Sequence, residues 1–316
     1  MFRLPLSQQT SPDPEHIDTA VEVPIIARMF GDLFKTMRPQ QWVKNSFVLA
    51  PLVFSQNLDS PWHLWRSGVA VVVFCLASGA VYVTNDLVDW KRDRIHPTKK
   101  NRPIASGRLA VGVARVWVGI SLAIATVLAV WLEPLLAGVV GCYFAANLAY
   151  SFVLKHVVFL DVSIIALGFL LRVLGGALAI DVPVSRWVIL CTFLLSLFLA
   201  LGKRKHELLA VDNPETIRPV LGRYHVGHIK IAMMLTALVT IGSYAAYTID
   251  GEIVSQFGTE YLPVTLPFIF FGLWRFYRLT QRSEHTESPT EQIIRDPAFV
   301  VNLVIWGGVI LGLIYG

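Results

Sequence analysis

Charge is scarce in this sequence. Only 16% of its 316 residues are Asp, Glu, Lys or Arg, while 54% are hydrophobic; soluble domains carry roughly 25% charged residues. A soluble globular domain is excluded on that balance, because so few charges cannot clothe a water-facing surface. Cysteine is rarer still, at three residues. Cys75, Cys142 and Cys191 all lie inside apolar blocks, with no C-x-x-C spacing and no flanking His, which excludes a zinc site or a disulfide framework and leaves small core residues. No secretory signal is visible, since residues 1–24 are polar and contain Pro; they are expected to form a disordered cytoplasmic tail ahead of one domain over 25–316.

What the sequence has in quantity is long apolar blocks. Measured against the roughly 20 residues that cross a bilayer, they give nine candidate helices, near 43–60, 67–84, 111–132, 136–154, 162–180, 187–202, 228–249, 263–280 and 299–316. The expected fold class is thus an all-α membrane protein with nine transmembrane helices. Pro51 would kink the first block. The net charge of +5 does not point to nucleic acid, because of where the cations lie. With the N-terminus inside, only Arg66 and Arg186 of the 27 Lys and Arg residues fall in the outer loops (61–66, 133–135, 181–186, 250–262). Arg172 is inside a helix, and the remainder sit on or near the cytoplasmic side, as the positive-inside rule requires. The expected location is the plasma (inner) membrane, with any chemistry at the cytoplasmic mouth, where the inner loops 85–110, 155–161, 203–227 and 281–298 are dense in charge. Whether the chain forms a homo-oligomer is open, because lipid-facing and subunit-facing apolar surfaces share one composition.

Ahead of the first block, Ile25, Ile26, Met29, Phe30, Leu33, Phe34 and Met37 recur at helical spacing among Arg28, Lys35 and Arg38. That pattern suits an amphipathic helix lying in the interface, apolar side in membrane lipid and cations near anionic headgroups; the alternative is a soluble linker helix.

The strongest chemical signal is Asn85-Asp86-Leu87-Val88-Asp89, running on to Asp93. Asp86, Asp89 and Asp93 fall at i, i+3 and i+7, on one helical face. Three such carboxylates repel one another unless a cation sits among them, and hard oxygens suit Mg²⁺, which binds one or two carboxylates plus substrate phosphates. The bland alternative is a solvated helix end neutralised by Lys91, Arg92 and Arg94; against it, the stretch continues a membrane helix, where ionisable groups are usually functional.

Together with Asn101-Arg102-Pro103-Ile104-Ala105-Ser106-Gly107, this motif resembles the first acidic motif of the UbiA superfamily of intramembrane prenyltransferases. The resemblance covers roughly residues 35–316 and implies nine helices and an acidic site holding Mg²⁺ against a diphosphate, with Asn85, Asp86, Asp89 and Asp93 as the metal set. It also implies a second Asp-x-x-x-Asp set after the sixth helix, which this chain lacks. Its loop reads Gly202-Lys203-Arg204-Lys205-His206-Glu207, with Asp212 and Glu215 further on. The departure, with Arg38-Pro39-x-Gln41-Trp42-x-Lys44-Asn45, Tyr150-Ser151-x-x-Leu154-Lys155 and Asp161, resembles the branch that moves phosphoribose from phosphoribosyl pyrophosphate (PRPP) to a polyprenyl (decaprenyl) phosphate, a precursor of cell-wall arabinan.

The charge inventory fits those substrates: one diphosphate for Mg²⁺, and two further phosphates for cations. Lys203, Arg204 and Lys205 suit anions through charge-assisted hydrogen bonds, or serve only as a topology signal. Lys44 is a candidate for the lipid phosphate or a snorkelling interfacial Lys. Arg102 is placed to reach the leaving diphosphate, so the catalytic set is Asp86, Asp89, Asp93 and Arg102. Tyr150, Lys155 and Glu207 join the substrate-binding candidates; Asp161 does too, or is a helix N-cap. Arg172, about 15 Å deep by helical rise, needs a polar cavity or partner, as a phosphate ligand or in an ion pair. Gly168, Gly175 and Gly176 beside it, and Ser78, Gly79 and Ala80 on the acidic helix, would permit close packing. The competing functions are an aromatic prenyltransferase using a prenyl diphosphate, which predicts two acidic motifs, and a polyprenyl-phosphate transporter, which predicts internal repeats.

Overall fold

In a computed structural model of the protein, residues 25–210, 219–281, 292–293 and 295–316 are described, and all regular structure among them is helical. The expected tail 1–24, Asp212, Glu215 and most of the loop 281–298 lie outside those residues.

Helix α1 (Ile25–Thr36) is followed by a 3-10 segment, Pro39–Leu49, and the short α2 (Ala50–Phe54). Then come α3 (Pro61–Asp93), α4 (Val111–Leu132), α5 (Pro134–Phe152), α6 (Leu160–Ala179), α7 (Arg186–Leu209), α8 (Val226–Ile249) and α9 (Gly251–Phe257). A 3-10 turn, Leu262–Thr265, leads into α10 (Leu266–Leu279), and α11 (Pro297–Tyr315) closes the chain. Seven of these, α3 to α8 and α11, are long and apolar enough to cross a bilayer, so the chain is an integral membrane protein.

Two expected crossings take another form. The block 43–60 is not one α-helix but the 3-10 segment plus α2, and 263–280 is split into its 3-10 turn and α10. Proline accounts for the breaks: Pro39 and Pro51 in the first and Pro263 and Pro267 in the second lack the N–H that an α-helical ladder needs. α3, by contrast, outruns its expected end at 84. No breaker stands between Ser78 and Asp93, so the crossing continues through the acidic motif. At 1.5 Å per residue Asp86 lies about 38 Å along from Pro61, past the roughly 30 Å hydrocarbon layer.

The core is seamed by small residues. A Cβ on Gly176 of α6 would come within 2.0 Å of the Val48 carbonyl oxygen, and one on Gly175 within 2.5 Å of the Phe74 ring. The first segment therefore lies backbone-to-backbone on α6, where only glycine fits. Gly168 has ordinary clearance. Helix α1 divides its apolar stripe rather than giving all of it to lipid. Leu33 and Met37 are buried against Val83, Ile104, Leu109 and Ala114, with Met37 seated on Gly79, while Phe30 and Phe34 stay outward. The three cysteines are free thiols.

Candidate active site

The end of α3 carries the first cluster. Asp86 and Asp93, two turns apart, point inward and are almost fully buried. Arg102, from the Pro-constrained loop after α3, bonds both: Nη1 lies 3.1 Å from Asp86 Oδ1 and 2.6 Å from Asp93 Oδ2. A second guanidinium, Arg38, reaches Asp86 Oδ1 at 2.6 Å and lies over the Tyr82 ring, 5.1 Å from its centroid. Arg38 takes a left-handed backbone, φ 54°. For a residue with a Cβ that conformation costs about 1–3 kcal/mol; here it turns the chain from α1 so that the side chain meets Asp86. The sequence placed Arg38 in a motif but not among the site residues, and no composition signal marks it.

Asp89 is half-buried one turn from Asp86, and Asn85 Oδ1 accepts a hydrogen bond from Ser151 Oγ at the end of α5. No group of three His, Cys, Asp or Glu side chains converges among the described residues. The set therefore does not make an all-protein cage. It does fit a hard cation held through one or two carboxylates and completed by substrate phosphates, the usual arrangement for Mg²⁺.

The second cluster joins α5, α6 and α7. Asp161 is fully buried, its Oδ2 accepting from Arg204 Nε at 2.6 Å and its Oδ1 from the Tyr224 hydroxyl at 2.6 Å. Arg204 also binds Glu207 Oε2 at 2.7 Å and the Tyr150 hydroxyl at 3.3 Å. Tyr224, between helices, has its phenol pushed above the usual range by burial and by the bond it donates to Asp161, so it remains a neutral donor. Asp161 is thus not an N-cap: the cap position of α6 is Phe159, which makes no side-chain cap bond and has φ 63°. Arg204 is 1% exposed and engaged by two carboxylates, so it braces the site rather than offering a free cation. Adjacent residues bridge the two clusters, Ser151 to Asn85 and Tyr150 to Arg204.

The third cluster is deeper. Arg172 donates to Asn45 Oδ1 (2.8 Å), the Gly168 carbonyl (2.8 Å) and the Tyr143 hydroxyl (2.9 Å), and stacks over the Tyr143 and Phe169 rings. Among the described residues it has no carboxylate partner, so the ion-pair alternative gives way to neutral acceptors. Asn45 in turn reaches Ser78 Oγ on α3 at 3.3 Å.

Of the remaining candidate cations, Lys205 is buried with Nζ 3.3 Å from Thr280 Oγ1 and 4.7 Å from the centre of the Tyr277 ring. Lys44, Lys155 and Lys203 are half-buried. An apolar cavity of about 330 Å³, walled by Phe47, Phe54, Phe198, Phe276, Phe299 and Trp306 among others, runs between the first segment and α7, α8, α10 and α11.

Residues 46–302 match the family model described as the UbiA prenyltransferase family. The chain is 33% identical over 303 residues to the decaprenyl-phosphate phosphoribosyltransferase of Mycolicibacterium smegmatis, covering 91% of this chain and 93% of that one. It is 35% identical to the protein of the same name from Mycobacterium tuberculosis, over 78% and 84% of the two chains. In fold it is similar to a UbiA homolog from Archaeoglobus fulgidus bound to DMAPP and Mg²⁺, with TM-score 0.67, 16% identity, and 90% and 99% of the chains covered.

Proposed function

The chain belongs to the UbiA prenyltransferase family, and from that premise we propose that it transfers 5-phosphoribose from PRPP to a polyprenyl phosphate, releasing diphosphate. Relatives matching 78% to 91% of the chain carry the matching name, decaprenyl-phosphate phosphoribosyltransferase. The single observation that carries the reading is the pairing of one acidic motif with guanidiniums: Arg38 and Arg102 close on Asp86, Arg102 also on Asp93, and the basic stretch expected as a loop is the last turns of α7, where Arg204 is tied to Asp161. One diphosphate and two monophosphates call for one acidic site and several cations.

Asp86, Asp89, Asp93 and Asn85 would hold Mg²⁺, which when bound neutralises charge on the diphosphate. Arg102 and Arg38, already at the carboxylates, can turn one N–H each toward the phosphate oxygens, the electrostatic role that matters most as the leaving group gains charge. The bond between the ribose anomeric carbon and the diphosphate oxygen breaks. The lipid phosphate oxygen forms the new bond from the opposite face, inverting the centre. That nucleophile is already anionic near neutral pH, so no strong base is needed. Lys44, Lys155, Lys203, Lys205 and Arg172 are the candidate cations for the two other phosphates, with Tyr150 and Glu207 holding Arg204 in place. The apolar cavity beside Phe47 and Trp306 suits part of the isoprenoid tail.

The same reading takes the chain as nine crossings with the N-terminus and the acidic cluster on the cytoplasmic side of the plasma membrane, feeding arabinan assembly. The two proline-broken segments are long enough. A 3-10 helix rises about 2.0 Å per residue, so Pro39–Phe54 reaches about 30 Å and Leu262–Leu279 nearly the same, matching the hydrocarbon thickness. Helix α1, with Phe30 and Phe34 outward beside Arg28 and Lys35, fits the interface.

The test is transfer of radiolabelled phosphoribose from PRPP to a polyprenyl phosphate by the purified full chain. Transfer is expected with Mg²⁺, and to fall by about 10²-fold or more on chelation and return on re-addition. Indifference to PRPP, together with consumption of a prenyl diphosphate and an aromatic acceptor, would make the protein a prenyltransferase instead.

A further inference from the structure

The end of the bundle opposite the acidic cluster holds a second chamber. The first segment begins at Arg38, on Asp86, and finishes at Phe54; α7 finishes at the Arg204 cluster and begins at Arg186. Between these far ends lies a cavity of about 580 Å³ whose polar lining includes Ser55, Asn57, Arg186, Glu252 and Gln256. One bond spans its lining, Gln256 Nε2 to Phe54 O at 3.0 Å, and two more tie the adjoining end of α2 to α11: Tyr315 OH to Val53 O at 2.9 Å and Gln56 Nε2 to Ile314 O at 2.6 Å.

This polar chamber meets the apolar cavity at Phe54, Val188 and Tyr247, which line both. Tyr247 is 5% exposed, and its hydroxyl makes no hydrogen bond to any described residue. A buried hydroxyl left unpaired is costly, and this one sits where hydrophilic wall gives way to hydrocarbon wall. A molecule that satisfies all three features is an amphiphile: a polar head in the larger chamber, an acceptor at the level of Tyr247, and a hydrocarbon chain beyond.

The charges select the head. Arg186 spends one N–H on Asp250 Oδ2 at 3.1 Å, and a guanidinium has five donors, so it can take a phosphate as well. Glu252 is a carboxylate on the same lining, matched by an ammonium. A purely anionic head would meet Glu252 and Asp250 as like charges. We propose that this chamber binds a zwitterionic phospholipid from the membrane leaflet on that side: its phosphate at Arg186, its ammonium at Glu252, an ester carbonyl on the Tyr247 hydroxyl, and an acyl chain in the apolar cavity.

Binding can be read without reference to transfer. Full-length protein in detergent is offered equimolar phosphatidylethanolamine and phosphatidylglycerol and examined by native mass spectrometry. One phosphatidylethanolamine is expected to be retained in preference to phosphatidylglycerol. Tyr247→Phe, which removes one hydrogen bond, should weaken retention about two- to tenfold, and Glu252→Gln should erase the headgroup preference with phosphoribosyl transfer unchanged. Equal retention of the two lipids by the wild type would mean bulk lipid only and overturn the proposal. So would unchanged phosphatidylethanolamine retention in both variants.

Discussion

Asp86→Asn is expected to lower transfer by about 10²–10³-fold while the protein stays folded. The activity loss follows from position. Asp86 is the carboxylate on which Arg38 and Arg102 meet, so the neutral amide removes a proposed metal ligand and the anchor of two cations at once. Loss of a single preorganised electrostatic group at a reacting centre already costs a factor of that size. The modest stability change follows from exposure. Arg38 and Arg102 are each 29% exposed, so when the carboxylate is gone they can turn to water. The check is kcat/KM for PRPP alongside the thermal unfolding midpoint in detergent; transfer within about threefold of wild type would remove Asp86 from the site.

Asp161→Ala should behave in the opposite way, destabilising the fold by about 3–5 kcal/mol, the usual effect of deleting one partner of a buried ion pair. Here the surviving cation has no escape: Arg204 is 1% exposed and Asp161 is fully buried. Glu207 still accepts one N–H of Arg204, which holds the figure toward the lower end. Tyr224→Phe, which removes only the hydroxyl on Asp161 and Phe159 N, should cost about 1 kcal/mol. Denaturation of the purified protein followed by tryptophan fluorescence orders the two variants. An Asp161→Ala protein as stable as wild type would mean the cluster relaxes around the loss.

These two carboxylates show what the chain discloses on paper and what it keeps back. The acidic motif was legible because its information is local: Asp86, Asp89 and Asp93 share a face by spacing alone, and α3 does carry that face. The apolar blocks were legible for the same reason, and Val111–Leu132 and Val226–Ile249 fall within a residue or two of the expected spans. What stayed hidden is pairing across the chain. In sequence Arg204 looks like a topology-setting cation at a helix end, and only the fold brings Asp161, 43 positions away, onto it. Arg38 depends on a left-handed backbone at a non-glycine residue, which no periodicity announces. The first apolar block was misread as one α-helix because hydropathy counts residues and is blind to how tightly they are wound.

The bond between Arg172 and Asn45 also sets an order of events during synthesis. On a translocon scale an arginine at the centre of a helix disfavours insertion by about 2.5–3.5 kcal/mol. Its acceptor was made 127 residues earlier, on a short proline-broken segment that itself carries Lys44, Asn45 and two glutamines. At about 5–20 residues per second, that segment waits on the order of ten seconds beside the translocon before α6 emerges. On the proposed nine-crossing topology the two are expected to cross as a pair, each supplying the polar partner the other would lack in lipid. A nascent chain arrested before α6 should leave a Val48→Cys thiol, which Gly176 of α6 otherwise covers, open to a water-soluble maleimide, and full-length protein should not. If the arrested chain is already protected, the first segment inserts alone.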